Sequence, residues 1–156
     1  MALPKVKIGD VFSLKLTDGI GLIQCVKETG EAESEKIRVL PGIFSVVNET
    51  TIRDAILSKE LFFIELPLKY ALRKKLIERV GNYQIPDGSE CPKYFREEHI
   101  IRTDFLGWHI VDTETWHRRL VKELSPEEQM LSPWGMISIP DIVERIESNW
   151  TPLEWV

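Results

Sequence analysis

The chain has 156 residues, of which 43% are hydrophobic and 29% are charged, and its net charge is −5. This composition is typical of a folded globular protein and excludes wholesale disorder, and no apolar run reaches the roughly 20 residues that cross a bilayer. We expect one domain over residues 1–156, because domains usually hold about 100–200 residues.

The cysteines and the N-terminus predict a cytoplasmic protein. Cys25 and Cys91 are too few and too far apart in the sequence for a disulfide framework, which indicates a reducing compartment. The charged residues at the N-terminus are not followed by the apolar stretch of a secretory signal. We therefore expect cytoplasmic localisation and no membrane partner.

The charge is unevenly distributed along the chain. Residues 1–80 contain 13 basic and 11 acidic residues, whereas residues 81–156 contain 7 basic and 14 acidic residues, a net charge of −7. An acidic surface repels phosphate backbones and attracts basic partners. This pattern disfavours nucleic acid as a partner and favours a basic protein, although an acidic surface also serves solubility alone.

The N-terminal region predicts a β-hairpin over residues 10–27. Phe12, Leu14 and Leu16 alternate with polar or smaller residues, as in a half-buried strand. Asp18-Gly19 follows, and Asp-Gly between apolar runs is a strong hairpin signal. Gly21 in the return strand indicates a bulge or a close backbone approach.

The next predicted elements are short. The polar run 28–36 is expected to be an exposed loop. Residues 37–47 predict a third strand that is bent at Pro41-Gly42. A helix is expected over 48–59 with its N-cap at Asn48 or Thr50, and a buried strand over 61–64.

Two stretches allow more than one structure. Residues 68–80 have leucines at helical spacing but could equally start a strand, and residues 116–124 are ambiguous in the same way. Residues 94–101 and 108–111 favour two further short strands.

The C-terminal region predicts two capped helices and a packed tail. Helices are expected over residues 126–131, after Ser125-Pro126, and over 139–149, after Ser138. The apolar tail is expected to pack against the body of the protein. The whole pattern predicts an α+β domain with a strongly bent antiparallel sheet first and short helices last.

Signatures of catalysis and of metal binding are missing from the sequence. It contains no Gly-rich phosphate loop, no G-x-S-x-G, no C-x-x-C and no H-E-x-x-H. His99, His109 and His117 do not follow a zinc spacing, and a Cys91–His dyad is no more than chance would supply. We therefore predict a protein that is not an enzyme and that needs no metal and no cofactor.

The tryptophans and carboxylates of the last third suggest an interface. All five tryptophans lie between residues 108 and 155, where they fill the core or anchor a partner. Aromatic and acidic residues alternate closely in one stretch of this region. The candidate interface residues are Asp104, Trp108, Asp112, Glu114 and Trp116.

Several short motifs resemble the immunity protein 26 family, bacterial proteins that neutralise toxins of polymorphic, contact-dependent systems. The opening Lys7-Ile8-Gly9-Asp10-Val11-Phe12 with Asp18-Gly19 is similar to the start of that family. Further similarities are Gly107-Trp108-His109-Ile110, the Leu-Ser-Pro-Glu-Glu run at 124–128, and Glu144-Arg-Ile-Glu147 followed by Trp150. The chain departs from the family pattern at Pro41-Gly42 and in the basic stretch 69–79.

The resemblance implies an α+β fold, no catalysis, a cytoplasmic site of action and a cognate toxin, often a nuclease, as partner. A nuclease cleft is basic because it holds phosphates, so an acidic inhibitor complements it. The alternative is an SH3-like or Tudor-like small β-barrel that binds RNA or a translation-related complex, since such modules also open with a Gly-Asp, strand, Asp-Gly, strand pattern.

Overall fold

The computed structural model describes residues 4–28 and 34–155. The alternating N-terminal pattern forms strands β1 (Asp10–Leu16) and β2 (Gly19–Lys27), which pair antiparallel with Leu16 opposite Gly19. The predicted hairpin over residues 10–27 is therefore confirmed. Gly21 lies where a Cβ would come within 3.0 Å of the Ile146 side chain, so the glycine allows a close approach.

Three more strands complete a five-stranded antiparallel sheet. They are β3 (Glu35–Val39), β4 (Phe62–Leu66) and β5 (Ile77–Asn82), and the strand order is β4-β3-β2-β1-β5. The sheet is not closed into a barrel, because β4 and β5 occupy its two edges and do not pair with each other.

The polar run after the hairpin differs from its prediction as an exposed loop. Residues 29–33 lie outside the described part of the chain, whereas Ser34, Glu35 and Lys36 are buried and β3 begins at Glu35. The third strand is also shorter than predicted, since it ends at Val39 and only Phe44 pairs again, with Ile20.

The helices of the first half follow their local signals. Helix α1 (Glu49–Leu57) begins after Asn48, whose side chain accepts a hydrogen bond from Thr51 N. The ambiguous stretch 68–80 contains both predicted structures in turn, because helix α2 (Leu68–Arg73) leads directly into β5.

A second antiparallel sheet follows, with three strands in the order β6-β7-β8. These strands are β6 (Tyr94–Ile101), β7 (Asp104–Asp112) and β8 (Arg118–Val121), so the ambiguous stretch 116–124 contains a strand. The bent sheet expected from the sequence is thus divided into two sheets, and the fold is α+β.

The C-terminal helices begin at the predicted caps. The first is a single 3-10 turn (Glu128–Met130) rather than an α-helix over 126–131, with reciprocal hydrogen bonds between Ser125 and Glu128. The second, α3 (Ile139–Glu147), begins after Ser138 as predicted and ends two residues before Asn149.

Both faces of the five-stranded sheet are covered. On one face Phe12, Leu14 and Leu16 are buried with Ile142 and Ile146 of α3, which confirms them as core residues. A second cluster joins Val11, Leu22 and Leu40 to Ile52 and Ile56 of α1, and a third contains Val26, Phe63 and Phe95. Because Phe63 lies in β4 and Phe95 in β6, the third cluster packs the two sheets together.

The segment 132–137 joins the two sheets through its backbone. It runs parallel to both neighbouring strands, β6 on one side and β4 on the other. Trp134 N donates to Arg96 O at 2.7 Å, and Ile137 N donates to Glu65 O at 3.1 Å. The segment therefore pairs with one edge strand of each sheet, β4 and β6, and covers both edges.

Arg38 fastens α1 to the sheet from a fully buried position. Its Nε donates to Gln24 Oε1 at 2.8 Å and its Nη2 donates to Ile56 O at 2.6 Å, near the helix C-terminus. Glu60 lies 3.3 Å from Nη1 and provides a counter-charge. Burial lowers the pKa of Arg38, while Glu60 opposes this effect.

Arg96 fastens the C-terminal tail in a comparable way, but its guanidinium bonds only to backbone carbonyls. It is fully buried, with the Trp108 and Trp155 rings 4.6 and 4.5 Å from its guanidinium carbon. Burial lowers its pKa to about 10, so it stays charged at neutral pH. The carbonyls that accept its bonds, at 2.6 to 3.0 Å, belong to Gln129, Leu131, Pro152 and Trp155.

The tail packs against the body, as predicted. Trp150 contacts Phe62 edge to face at 5.1 Å, and Trp155 contacts Trp108 at 4.8 Å. Within the described residues, no helix has the length and the apolar character that crossing a membrane requires.

Candidate functional site

Strand β7 separates the acidic candidate residues into two places. Asp104 and Asp112 stand at its opposite ends, roughly 25 Å apart at the rise of a β-strand. Glu114 and Trp116 follow Asp112 in the turn between β7 and β8. The structure therefore brings Asp112, Glu114 and Trp116 together and places Asp104 elsewhere, beside the turn between β6 and β7.

Trp108 lies in the core. Only 6% of it is exposed, and its ring contacts Phe105 at 5.4 Å as well as Trp155 and Arg96. In this position Trp108 supports the tail and does not reach the surface as an anchor for a partner.

Asp112 organises the turn between β7 and β8. Its Oδ1 accepts hydrogen bonds from Glu114 N at 2.8 Å and Thr115 N at 3.2 Å, an arrangement common where aspartate begins a turn. These bonds lower the pKa of Asp112, because they stabilise its charged form. Asp112 thus shapes the turn that displays the next residues.

Trp116 is the exposed aromatic residue of this turn. It is 67% exposed and has a φ of 63°, a backbone conformation that bulky residues seldom adopt. The backbone is held there by a hydrogen bond from Trp116 N to Asp112 O at 2.8 Å. An exposed tryptophan in a sparsely populated conformation is consistent with a binding role.

Trp134 supports Trp116 from below. The two rings meet edge to face at 5.7 Å, and Trp134 lies on the segment that joins the two sheets. On its inner side Trp134 lies over Lys36 Nζ at 4.2 Å, and Lys36 pairs with Glu65 at 2.9 Å. The Trp134 ring, held in place by Lys36, restricts the positions that the Trp116 ring can take.

The turn and the neighbouring segment each carry an exposed carboxylate. Thr113 N donates to Lys93 O at 2.8 Å, which brings the segment before β6 alongside the turn. That segment carries exposed Glu90, and the turn itself carries exposed Glu114, while Lys93 supplies a cation 3.8 Å from Asp112. We call the set Glu90, Asp112, Glu114, Trp116 and Trp134 the acidic tryptophan surface.

The nucleophile candidates are unsuited to nucleophilic catalysis. Cys25 is buried, and its pKa is raised to about 12 by burial and by the charge of Glu35. Burial also raises the pKa of Cys91. Both thiols therefore stay protonated at neutral pH, whereas a nucleophilic cysteine needs a lowered pKa.

Two histidines meet across strands, which the sequence did not predict. The His99 and His109 rings are 4.4 Å apart, and His109 Nδ1 lies 3.5 Å from Glu97 Oε1, which also accepts a bond from Arg118. Among residues 4–28 and 34–155, no three histidine, cysteine or carboxylate side chains converge as a metal site would require.

The described residues form several surface grooves. One of about 490 Å³ runs beside β1 and β5 from Ser13 to Glu78, and one of about 300 Å³ lies between Tyr94 and Leu131. Neither is lined by a histidine or a cysteine.

Sequence reasoning missed Trp134, whose ring contacts Trp116, and Glu90, which lies on the segment that is hydrogen-bonded to the turn at Lys93. No local signal identifies them, because the joining segment and the residues before β6 reach this surface only through the packing of the two sheets.

Comparisons of the chain with protein-family models, with curated proteins and with solved structures returned no match. The resemblance to the immunity protein 26 family therefore stays a prediction. The function proposed below for this chain is argued from the chemistry of the acidic tryptophan surface.

Proposed function

We propose that this chain is a cytoplasmic, non-catalytic immunity protein that binds and neutralises a basic bacterial toxin of the nuclease class through the acidic tryptophan surface. The observation that carries the proposal is Trp116, which is 67% exposed, supported by Trp134 and flanked by carboxylates.

Trp116 has the properties of an energetic anchor. Exposing a large aromatic ring to water is unfavourable, and tryptophan is enriched among the few residues that dominate binding energy. Because Trp134 holds the ring on one edge, less side-chain freedom is lost when a partner covers it. Such an anchor suits a protein partner that offers a pocket.

The carboxylates indicate the charge of that partner. Glu90 and Glu114 are exposed, so they can raise the association rate of a basic protein at low salt. A nuclease holds phosphates in a basic cleft and therefore has the complementary charge. The net charge of −7 over residues 81–156 supports the same sign for the partner.

The test begins with the gene neighbourhood, where the proposal predicts a toxin gene beside the gene for this chain, and then measures binding of the inactivated toxin by calorimetry. Trp116→Ala is expected to weaken binding by about 2 kcal/mol or more, as hot-spot tryptophans do. Glu90→Lys with Glu114→Lys is expected to weaken binding most at low salt. Asp112 is left unchanged, because its replacement would also alter the turn.

A matched control carries the same change of charge at a distant site. Asp54→Lys with Glu49→Lys replaces two exposed carboxylates of α1. This control should bind like the parent, and circular dichroism checks the folding of each variant. Unchanged affinity and salt dependence in the folded Trp116 and Glu90/Glu114 variants would exclude this surface. Binding of generic RNA with a steep salt slope would favour the alternative function, an RNA-binding module.

A further inference from the structure

The positive charge of this chain is concentrated in two short segments. Residues 4–8 and 68–76 contain six basic residues and no acidic residue, whereas the whole chain has a net charge of −5. The rest of the chain therefore carries a net charge of −11. We call the six cations the basic surface; they are Lys5, Lys7, Lys69, Arg73, Lys74 and Lys75.

Helix α2 presents its cations on the side that faces away from the core. Leu68 and Ala71 are buried in the core, whereas Tyr70 is about half exposed. The guanidinium carbon of Arg73 lies 5.7 Å from the centre of the Tyr70 ring, and Lys74 Nζ lies 5.9 Å from it. The exposed side of the helix therefore combines two cations with one aromatic ring.

The N-terminal segment places further lysines beside the helix. Val6 is buried, whereas its neighbours Lys5 and Lys7 are exposed. Both lysines line a groove of about 380 Å³ together with Lys69 of α2, and Glu28 also lines this groove. The two segments therefore present their cations side by side.

The cations of the basic surface are largely unpaired. Lys69 Nζ lies 3.8 Å from Glu35 Oε1, and that carboxylate is buried. Among residues 4–28 and 34–155, the other five cations form no ion pair. Their charge is therefore available to an anionic partner.

Lys75 carries its charge at a backbone position that favours glycine. Lys75 N donates to Leu72 O at 3.0 Å and Leu76 N donates to Ala71 O at 2.9 Å, a pattern that ends many helices with a left-handed glycine. Lys75 has a φ of 58°, so it bears a strain that glycine would not. A cation is thus held where the backbone favours a residue without a side chain.

Exposed apolar side chains lie next to these cations. Tyr70 and Leu76 are each about half exposed, and Leu76 directly follows Lys75. A phosphate backbone offers no contact for an exposed leucine, and proteins that bind single strands stack bases on several aromatic rings. A lipid interface takes up apolar side chains and cations together. The combination therefore favours lipid over nucleic acid.

We propose that the basic surface docks this chain peripherally on an anionic lipid membrane. The cations lie at the lipid headgroups, while Tyr70 and Leu76 enter the boundary with the acyl chains. Clusters of about four to eight basic residues are typical of proteins that bind anionic lipid. The expectation of no membrane partner was based on the absence of a crossing segment, which a peripheral contact does not need.

This orientation keeps the acidic tryptophan surface away from the lipid. Lys74 and Lys75 come just before β5, which is the edge strand opposite β4, whereas Trp134 lies on the segment that pairs with β4. Four strand spacings of about 4.8 Å separate the two edges, roughly 19 Å in all. Since the Debye length is about 8 Å at physiological salt, the lipid charge is largely screened at the far edge.

Co-sedimentation with lipid vesicles tests the proposal. The probe is a vesicle of equal parts phosphatidylglycerol and phosphatidylcholine, and a vesicle of phosphatidylcholine alone is the neutral control. The parent chain should bind the anionic vesicles at low salt and should not bind the neutral ones. Binding should be mostly lost at about 1 M salt, where the Debye length falls to about 3 Å.

Removing two cations should weaken this binding strongly. Each cation near an anionic membrane contributes about fivefold to the partition coefficient, so Lys74→Gln with Lys75→Gly should bind at least about tenfold more weakly. The matched control, Lys59→Gln with Lys122→Gln, removes two exposed lysines outside the basic surface and should bind like the parent.

The glycine variant separates binding from a structural role. Lys75→Gly alone should unfold at the same or a higher urea concentration than the parent, because glycine relieves the strain at a φ of 58°. The same variant should bind anionic vesicles about fivefold more weakly.

A change at Leu76 separates lipid from nucleic acid. Leu76→Ser leaves the charge unchanged and removes an apolar side chain, so it should weaken binding to anionic vesicles about threefold or more. Generic RNA is the competing probe, since contacts to phosphates do not involve a leucine.

Absence of binding to anionic vesicles at low salt overturns the proposal, as does a Lys74/Lys75 double variant that binds as well as the control variant. RNA that binds more tightly than the vesicles, with an affinity that Leu76→Ser leaves unchanged, would assign the basic surface to nucleic acid instead. The vesicle experiment uses no toxin, and the toxin experiment changes no residue of the basic surface, so the two proposals fail separately.

Discussion

The molecule contains two stacks of a buried cation and tryptophan rings, and they end differently. In the closed stack, the guanidinium carbon of Arg96 lies within 4.6 Å of both the Trp108 and the Trp155 rings, which themselves meet edge to face at 4.8 Å. In the open stack, Lys36 Nζ lies 4.2 Å from the Trp134 ring, which supports Trp116 at the surface. The same cation–aromatic attraction stabilises both.

The difference lies in what completes each stack. Arg96 gives its hydrogen bonds to the backbone of the tail, so the closed stack joins chain segments. Lys36 pairs with the carboxylate of Glu65, which is 22% exposed, and the open stack ends in a ring that is 67% exposed. One stack therefore stabilises the fold, and the other offers a ring to a partner.

The largest effect should come from breaking the closed stack at its cation. Arg96→Met keeps much of the side-chain volume but leaves the carbonyls of Gln129, Leu131 and Trp155 without the guanidinium donor, while Pro152 O keeps its bond from Trp155 N. Because buried unpaired carbonyls are costly, we expect a loss of about 4–5 kcal/mol in the free energy of unfolding, measured by urea denaturation.

Arg96→Lys keeps the variant series interpretable if the methionine variant does not fold. Lysine retains a positive charge beside the two rings but cannot reach all four carbonyls, so the loss of stability should be intermediate. A loss below about 1 kcal/mol in both variants would mean that the tail does not depend on Arg96.

Replacing one tryptophan in each stack should distinguish a ring that the fold needs for stability from a ring that is available for binding. Trp108→Ala removes a ring that is 6% exposed and should cost about 3–4 kcal/mol of stability, whereas Trp116→Ala should cost less than about 1 kcal/mol. Urea denaturation of both variants measures the contrast. Equal losses would show that Trp116 is as structural as Trp108.

The comparison of Trp108 with Trp116 also shows which parts of the structure could be predicted from the sequence. The hairpin 10–27 and the start of α3 were predicted correctly, because alternation, Asp18-Gly19 and Ser138 act within a few residues of chain. Trp108 and Trp116 have similar neighbours in sequence, so their burial could not be told apart. The tail that covers Trp108 lies more than 40 residues further along the chain.

Buried charge was the main source of error in the fold. The run containing Glu35 and Lys36 predicted an exposed loop, because charged residues seldom enter the core without partners. The partners exist but come from β4 and α2: Glu65 pairs with Lys36, and Leu68 N donates to Glu35. Only the antiparallel register of β3 with β4 brings them together.

Replacing Lys36, the cation of the open stack, is expected to lower the free energy of unfolding by a smaller amount. Lys36→Met keeps the contact with Phe95 and Trp134 but leaves Glu65 without its counter-charge. Because Glu65 is partly exposed and also bonded by Ser34 Oγ, water can solvate it, and we expect a loss of about 1–2 kcal/mol. Denaturation beside Arg96→Met measures the difference, and an equal or larger loss would contradict the distinction between the stacks.

The smallest expected effect is the pH dependence of stability at the turn that carries Trp116. The pKa of Asp112 lies below its usual value because Glu114 N and Thr115 N donate to its carboxylate. A carboxylate with a lowered pKa in the folded state stabilises the fold above its unfolded pKa of about 4. That contribution is lost as the pH falls through the lower, folded-state pKa. Arg96, with a pKa of about 10, does not titrate in this range, so the closed stack should be unaffected.

Asp112→Asn tests this difference because asparagine still offers an oxygen to the turn but carries no titrating charge. Amide hydrogen exchange, corrected for the intrinsic rate at each pH, should show Thr115 losing protection in the parent as the pH falls from about 6 to about 2. In the variant, protection of Thr115 should be lower at the start and should change less. Trp155 N, which donates to Pro152 O in the tail, provides the internal control for the closed stack. If Thr115 and Trp155 lost protection together in the parent, acid would be loosening the whole molecule, and the turn that carries Trp116 would not respond separately from the tail.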